Sequence, residues 1–277
     1  SESQERMLVI VKKGKEKEAQ KIFIKWDLHA IPIGKVTSDG IFKVKEKGKF
    51  VAKIPVKALT DDAPFYYRQK IKPNYLKELK NLDISTLPLV KDLNIAFLKM
   101  LSSPNIANKA WIFEQYDHMV GTNTIVFPGS DSAVVRIKGT KKALAISCDG
   151  NGRYSYLDPY EGGKIIVAEA ARNVVCVGAK PIAITNCLNF GTPTDPEIFW
   201  QFTQCVEGMA KSCRELETPV TGGNVSFYNE NPKGAIDPTP IVGMLGLIED
   251  LNFLCTPWFK QEKDLIILLG EGEKKLE

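Results

Sequence analysis

Three short stretches of this chain carry the residue types of a phosphate or divalent-cation site: Asp-Gly-Asn-Gly at 149–152, Asn-Cys-Leu-Asn-Phe-Gly at 186–191 and Thr-Gly-Gly-Asn-Val-Ser at 221–226. In the last, Gly222 and Gly223 let backbone approach an anion and reach positive φ, while Asn224 and Ser226 place small oxygen-bearing side chains at alternate positions. Asp149 ends an apolar run beside glycine, a common way to offer a carboxylate to a divalent cation. Asn186 directly follows another apolar run, where open α/β sheets place ligands. Each stretch alone also reads as an ordinary tight turn. Three together, in a chain with only the two histidines His29 and His118, point to a nucleotide-phosphate and Mg²⁺ site built from oxygen ligands and backbone amides. A fourth stretch, 158–163, sets Gly162 and Gly163 at an expected helix start, which suits phosphate binding or close helix packing.

The elements that must hold these residues follow from periodicity. Apolar runs predict strands over 7–11, 30–36, 41–44 and 50–54, with a helix over 16–26 whose Ala19, Ile22, Phe23 and Trp26 share a face. Residues 60–74 mix proline, charge and aromatics without a period and read as a linker lying on a surface, followed by helices over 89–101 and 108–116. Beyond them a hairpin-like strand pair over 133–137 and 143–146 leads to Asp149. A helix over 164–177, a strand over 180–185 and a helix over 196–216 follow, then 221–226 as the turn before a strand over 241–248 and a last strand over 264–269.

Composition narrows the class. At 277 residues and 44% apolar, the chain is long enough for two domains. The net charge of +4 is small, and its lysines alternate with glutamates, which excludes a nucleic-acid stripe. No apolar run is long enough to span a membrane and the start is unlike a secretory signal, so a cytoplasmic protein is expected. The six cysteines form no CxxC pair, and buried reduced thiols are expected. The chain opens without methionine and stops at Glu277 without a capping element, so both ends are expected to be cut.

The residues 1–7 (Ser-Glu-Ser-Gln-Glu-Arg-Met), 158–164, 185–191 and 221–230 resemble those of the phosphoribosylformylglycinamidine synthase family, in its large PurL-type subunit. That resemblance covers nearly the whole chain. It implies an α+β fold: a PurM-like ATP-binding-type domain preceded by the tail of a PurM C-terminal-like α+β domain. The expected divisions are 1–59 for that tail, 60–115 for linker and helices, 116–250 for the ATP-binding-type domain and 251–277 for the start of its partner. The family activates the formamide oxygen of formylglycinamide ribonucleotide with ATP and Mg²⁺, and ammonia then displaces phosphate to give the amidine. A PurQ-type glutaminase and a small PurS-type subunit are the implied partners.

By the same resemblance Glu2, Ser3, Gln4 and Ser226 bind substrate, Asn186 and Gly223 bind nucleotide, and Asn224 is a metal ligand. Asp149 receives no role. Two departures stand out: many relatives carry aspartate at the position of Asn186, and the 149–152 loop has glycines where others vary; in addition, the family's general-base histidine has no counterpart, since neither His29 nor His118 lies in a His-rich motif. His118 is expected to make a structural hydrogen bond, His29 to lie at the surface, and the chain alone to be inactive. The competing readings are a nucleotide-holding structural module of the same enzyme, or another member of the aminoimidazole ribonucleotide synthetase and selenophosphate synthetase superfamily.

Overall fold

The computed structural model describes residues 6–86 and 88–270, and divides into a unit ending at Tyr67 and a unit beginning at Arg68. In the first unit, α1 (Glu16–Lys25) places Glu16 and Glu18 in its first turn and Lys25 in its last, matching the helix dipole. The strands β1 (Ile41–Glu46) and β2 (Lys49–Pro55) form an antiparallel hairpin. Its tight turn has both Lys47 and Gly48 at positive φ, the backbone that matches the strand twist. One helical turn, α2 (Val56–Leu59), follows. The strands expected over 7–11 and 30–36 do not form: a strand exists through a paired ladder, and the sheet here contains only β1 and β2. His29 is exposed, as expected.

The second unit begins with a connector. Ile71 N–H donates to Pro196 O, and α3 (Tyr75–Lys80) buries Leu76. Tyr75 donates from its hydroxyl to Tyr156 O at 2.9 Å, accepts from Gln201 Nε2 at 2.9 Å and stacks on the Tyr156 ring at 4.3 Å. Burial pushes its phenol up to about 12. Tyr75 therefore anchors α3, whereas the aromatics of the expected linker, Phe65, Tyr66 and Tyr67, are exposed. The helix expected over 89–101 begins later, as α4 (Leu93–Leu101), because the Asp92 carboxylate caps Asn94 and Ile95 N–H groups. The next is a single turn, α5 (Ala110–Phe113).

A six-stranded sheet follows. In chain order its elements are β3 (Thr124–Val126), β4 (Ala133–Arg136), β5 (Ala143–Asp149), α6 (Gly152–Leu157), α7 (Pro159–Cys176), β6 (Lys180–Asn189), α8 (Pro196–Glu215), β7 (Val220–Ser226), the short pair β8 (Glu230–Asn231) and β9 (Gly234–Ala235), and β10 (Thr239–Ile248). Strand order across the sheet is β3-β4-β5-β10-β6-β7. Every pair is antiparallel except β6 with β7, which α8 joins as a crossover. A register shift between Ile184 and Thr185 leaves Thr221 as an extra residue on β7, where its hydroxyl donates to Ile184 O at 3.1 Å while Thr185 donates to Gly222 O at 3.2 Å.

Helices α7 and α8 pack on each other, and α7 covers one face of the sheet. Burial alternates along β10, with Val242, Met244 and Ile248 under 2% exposed beneath the helices. The core joins them to Ile166, Val167, Ala170 and Val174 of α7 and to Ile184 of β6. The helix expected from 164 starts earlier, at Pro159, because the Asp158 carboxylate accepts from Tyr160 and Glu161 N–H groups and Pro159 needs no N–H partner in the first turn. Gly162 and Gly163 are thus inside α7, where they admit neighbouring backbone. A Cβ on Gly163 would lie 2.4 Å from Cys205 O of α8, and one on Gly208 would lie 2.0 Å from Tyr160 O. Of the six free cysteines only Cys205 and Cys213 are buried, a correction to the expected burial of the rest. Burial pushes the Cys205 thiol up to about 12. Residues 264–269 lie in no strand, since no neighbour among the described residues offers them a ladder. Among the described residues no helix is long and apolar enough to cross a membrane.

Candidate functional site

Of the stretches expected as loops, 149–152 leaves the sheet after Asp149 and runs into α6, 186–191 is strand as far as Asn189, and 221–226 is strand throughout. Asn186 lies inside β6, and 221–226 is the edge strand β7. The small residues that suggested a turn instead allow a parallel ladder in which β7 lies flush against β6. Cα pairing then sets Asp149 of β5 opposite Val242 of β10, Val242 opposite Asn186 of β6, and Asn186 opposite Gly223 of β7. One residue from each expected stretch falls in this single row across four strands.

The row lies on the helix-covered face. On β5, Ser147 donates to Ala170 O of α7 at 3.0 Å, and two residues later Asp149 Oδ1 accepts from Asn173 Nδ2 of α7 at 2.8 Å. Asn186 follows the buried Ile184 at a spacing of two. Gly223 admits the Asn186 amide, because a Cβ there would lie 2.0 Å from Asn186 Oδ1 and 2.8 Å from Asn186 O. The Asn186 amide borders a cavity of about 110 Å³ whose other walls are Leu188, Val220 and the α8 residues Val206, Met209 and Ala210.

Asn224 and Ser226 fall on the opposite, open face, paired with Cys187 and Asn189. Asn224 is exposed, on an edge strand. Ser226 is held in a network with Asn229, whose Nδ2 donates to Ser226 O at 2.8 Å, to Ser226 Oγ at 3.2 Å and to Phe190 O at 3.1 Å. The structure thus pairs Asn186 with Gly223 on one face and Asn224 with Ser226 on the other. Glu2, Ser3 and Gln4 lie outside the described residues.

Asp149 is the one carboxylate in the six strands of the sheet. Burial raises its pKa, against the opposing hydrogen bond of Asn173 and the charge of Arg172. Its Oδ2 is buried without a hydrogen-bond partner, so this oxygen is suited to a proton or a cation. Its partner Asn173 was not singled out in the sequence; the signal was an amide three residues after Ala170, on the face that α7 buries. Asn229, three residues after Ser226, was missed likewise. Among the described residues no cluster of three His, Cys, Asp or Glu side chains could enclose a metal. A cation here would draw on isolated oxygens: the Asn224 amide on the open face or the Asp149 carboxylate on the covered one. His118 is structural: its Nε2 is 2.8 Å from Phe113 O, and its ring meets Phe113 and Phe127 edge-on.

The model for the AIR synthase related protein, N-terminal domain matches residues 129–248, and that for the AIR synthase related protein, C-terminal domain matches residues 1–47. The phosphoribosylformylglycinamidine synthase subunit PurL of Moorella thermoacetica is 55% identical over 271 residues, 98% of this chain and 37% of the relative. That of Caldanaerobacter subterraneus subsp. tengcongensis is 55% identical over 276 residues, 100% of this chain and 38% of the relative. The chain therefore spans little more than a third of the length of these curated relatives. Among solved structures, PurLQS from Thermotoga maritima superposes with a TM-score of 0.65 at 29% identity, covering 89% of this chain and 38% of that one. T. maritima PurL complexed with ATP superposes with a TM-score of 0.62 at 28% identity, covering 87% and 37%. T. maritima PurL complexed with FGAR gives 0.57 at 30% identity, covering 79% and 32%.

Proposed function

Because the chain belongs to the AIR synthase related family and aligns along its length with PurL subunits, we propose that it contributes a nucleotide-binding half-site to a phosphoribosylformylglycinamidine synthase. The activity is the ATP-dependent conversion of formylglycinamide ribonucleotide and ammonia to the amidine, and a PurQ-type glutaminase and a PurS-type subunit are its partners. The observation that carries this reading is the closure of Gly223 on Asn186: a Cβ would lie 2.0 Å from the Asn186 Oδ1. This glycine lets two backbones and one amide converge at the carboxyl half of a parallel strand pair, where open sheets bind nucleotides.

In this reading Asn186 and Gly223 hold the nucleotide, with exposed edge-strand N–H groups available to phosphate oxygens. Asn224 contributes one amide oxygen toward Mg²⁺, which suits an ion that takes most of its ligands from phosphate and water. Mg²⁺, when bound, supplies neutralisation of charge on the transferring phosphoryl group. Ser226, fixed by Asn229, contacts the ribonucleotide. No general base comes from His118, whose Nε2 is engaged with Phe113 O, so proton transfer falls to another part of the intact protein, and the chain alone is inactive.

The test is the double substitution Asn224→Ala and Ser226→Ala in the full-length protein, assayed with ammonium salts as nitrogen source. Amidine formation is expected to vanish with the thermal transition unchanged. Undiminished turnover would overturn the assignment.

A further inference from the structure

We infer that Tyr228 is a substrate-contact residue whose ring walls the sugar-phosphate site beside Ser226. This rests on the reading of Ser226 as a contact to the ribonucleotide.

Tyr228 has a φ of 63°, in the left-handed region. The other non-glycine residues with positive φ are Asp27, Lys47, Thr122, Glu217 and Lys263, so Tyr228 is the only aromatic one among the described residues. A bulky side chain is disfavoured there and persists only where its surroundings impose the conformation. Backbone hydrogen bonds impose it here. Tyr228 N–H donates to Gly191 O at 3.1 Å and Asn229 N–H to Phe190 O at 3.1 Å, while Phe190 N–H donates to Ser226 O at 3.0 Å. The Asn229 side chain ties the same loop to Ser226 O and Phe190 O.

The strained backbone sends consecutive aromatic rings to different environments. Phe227 packs against the core, 5.1 Å from the Phe202 ring. Tyr228 remains 62% exposed, and its phenol meets no hydrogen-bond or ring partner among the described residues. A mere loop connection would be met more easily by glycine or asparagine at this φ. A tyrosine held here presents to solvent a flat apolar ring with a hydroxyl donor at its rim, two residues along the chain from the Ser226 hydroxyl. That pair fits a phosphorylated sugar: ring face on the sugar carbons, phenol donating to a phosphate or hydroxyl oxygen. Nucleotide recognition is assigned elsewhere, to Asn186 and Gly223 on the covered face of the strands, so Tyr228 acts on the ribonucleotide.

Steady-state kinetics of the full-length enzyme, with ammonium as nitrogen source, test this through Tyr228→Phe, Tyr228→Leu, Tyr228→Gly and Ser226→Ala. Tyr228→Phe is expected to raise KM for formylglycinamide ribonucleotide about fivefold, the effect of one neutral hydrogen bond, with KM for ATP unchanged. Tyr228→Leu raises it by about tenfold or more. Tyr228→Gly raises Tm while lowering kcat/KM for the ribonucleotide. If Ser226→Ala raises that KM and neither Tyr228→Phe nor Tyr228→Leu does, the tyrosine is no contact and the proposal falls while the serine reading stands. If Ser226→Ala has no effect, the serine reading fails, and an increase with Tyr228→Leu then supports the tyrosine alone. Equal increases in both KM values, or a Tm lowered by glycine, mark a structural ring and overturn the proposal.

Discussion

Gly-Gly occurs twice in the second unit, at 162–163 and at 222–223, and the two pairs do opposite things. The first lies in the interior of α7, buried, where each missing Cβ is filled by backbone of another helix: Ser155 of α6 at Gly162, Cys205 of α8 at Gly163. The second lies on an edge strand, where a Cβ on Gly222 would meet nothing within 4 Å and one on Gly223 would meet chiefly the Asn186 side chain. Identical dipeptides therefore serve helix packing in one place and an accessible polar contact in the other. What distinguishes them is whether the neighbour can move. Backbone held by two helices cannot, whereas an amide on a rotatable side chain can.

That difference can be broken by substitution. The largest effect is expected for Gly163→Ala in the full-length protein: its Cβ would stand 2.4 Å from Cys205 O, and forcing α7 and α8 apart should cost about 3 kcal/mol in urea unfolding. A change below about 0.5 kcal/mol would show that the helices slide freely and the contrast is false. Gly223→Ala comes next. It displaces the Asn186 amide and should weaken ATP binding about tenfold by calorimetry while costing less than about 1 kcal/mol of stability. Unaltered ATP affinity would remove the covered face from the site.

Asp149→Asn probes the same row electrostatically. Burial raises the folded-state pKa of Asp149 above its unfolded value of 3.8, so the penalty is absent below that value and grows as pH rises through the folded pKa. The variant should be more stable than the parent at neutral pH, with the difference shrinking on acidification. A difference independent of pH would show that the orphaned oxygen is not desolvated. The smallest effect belongs to Gly222→Ala, expected to change stability by no more than about 0.5 kcal/mol because the position is open. A larger loss would mean that the edge strand is tightly constrained after all.

The elements legible in the sequence were those whose residues answer to a local rule. Pro196 after Asp195 announces α8, and the alternation along β10 announces a sheet strand covered on one side. The misreadings came where pairing over distance outweighed local chemistry. Glycine and asparagine at 222–224 have turn propensity, yet the ladder from Thr185 to Asn189 draws them into β7. Residues 7–11 have strand propensity and no strand partner among the described residues. For the candidate site, Asn186, Gly223, Asn224 and Ser226 could be nominated from residue type and resemblance. Their division between two faces was not, since it depends on which residues of β6 and β7 lie opposite one another. Asn173 and Asn229 were hidden for the same reason, as each matters through a contact that no spacing rule announces.

The extra residue at Thr221 acts as a phase marker for everything downstream on β7. Without it, Ile184 and Thr185 would align with consecutive residues, and each position beyond would trade sides. Asn224 would turn beneath the helices, and glycine would face outward where the amide now stands. The two threonine hydroxyls that clasp this bulge, Thr221 to Ile184 O and Thr185 to Gly222 O, thus set which half of the strand's chemistry is offered to solvent, from positions directly preceding Asn186 and Gly223.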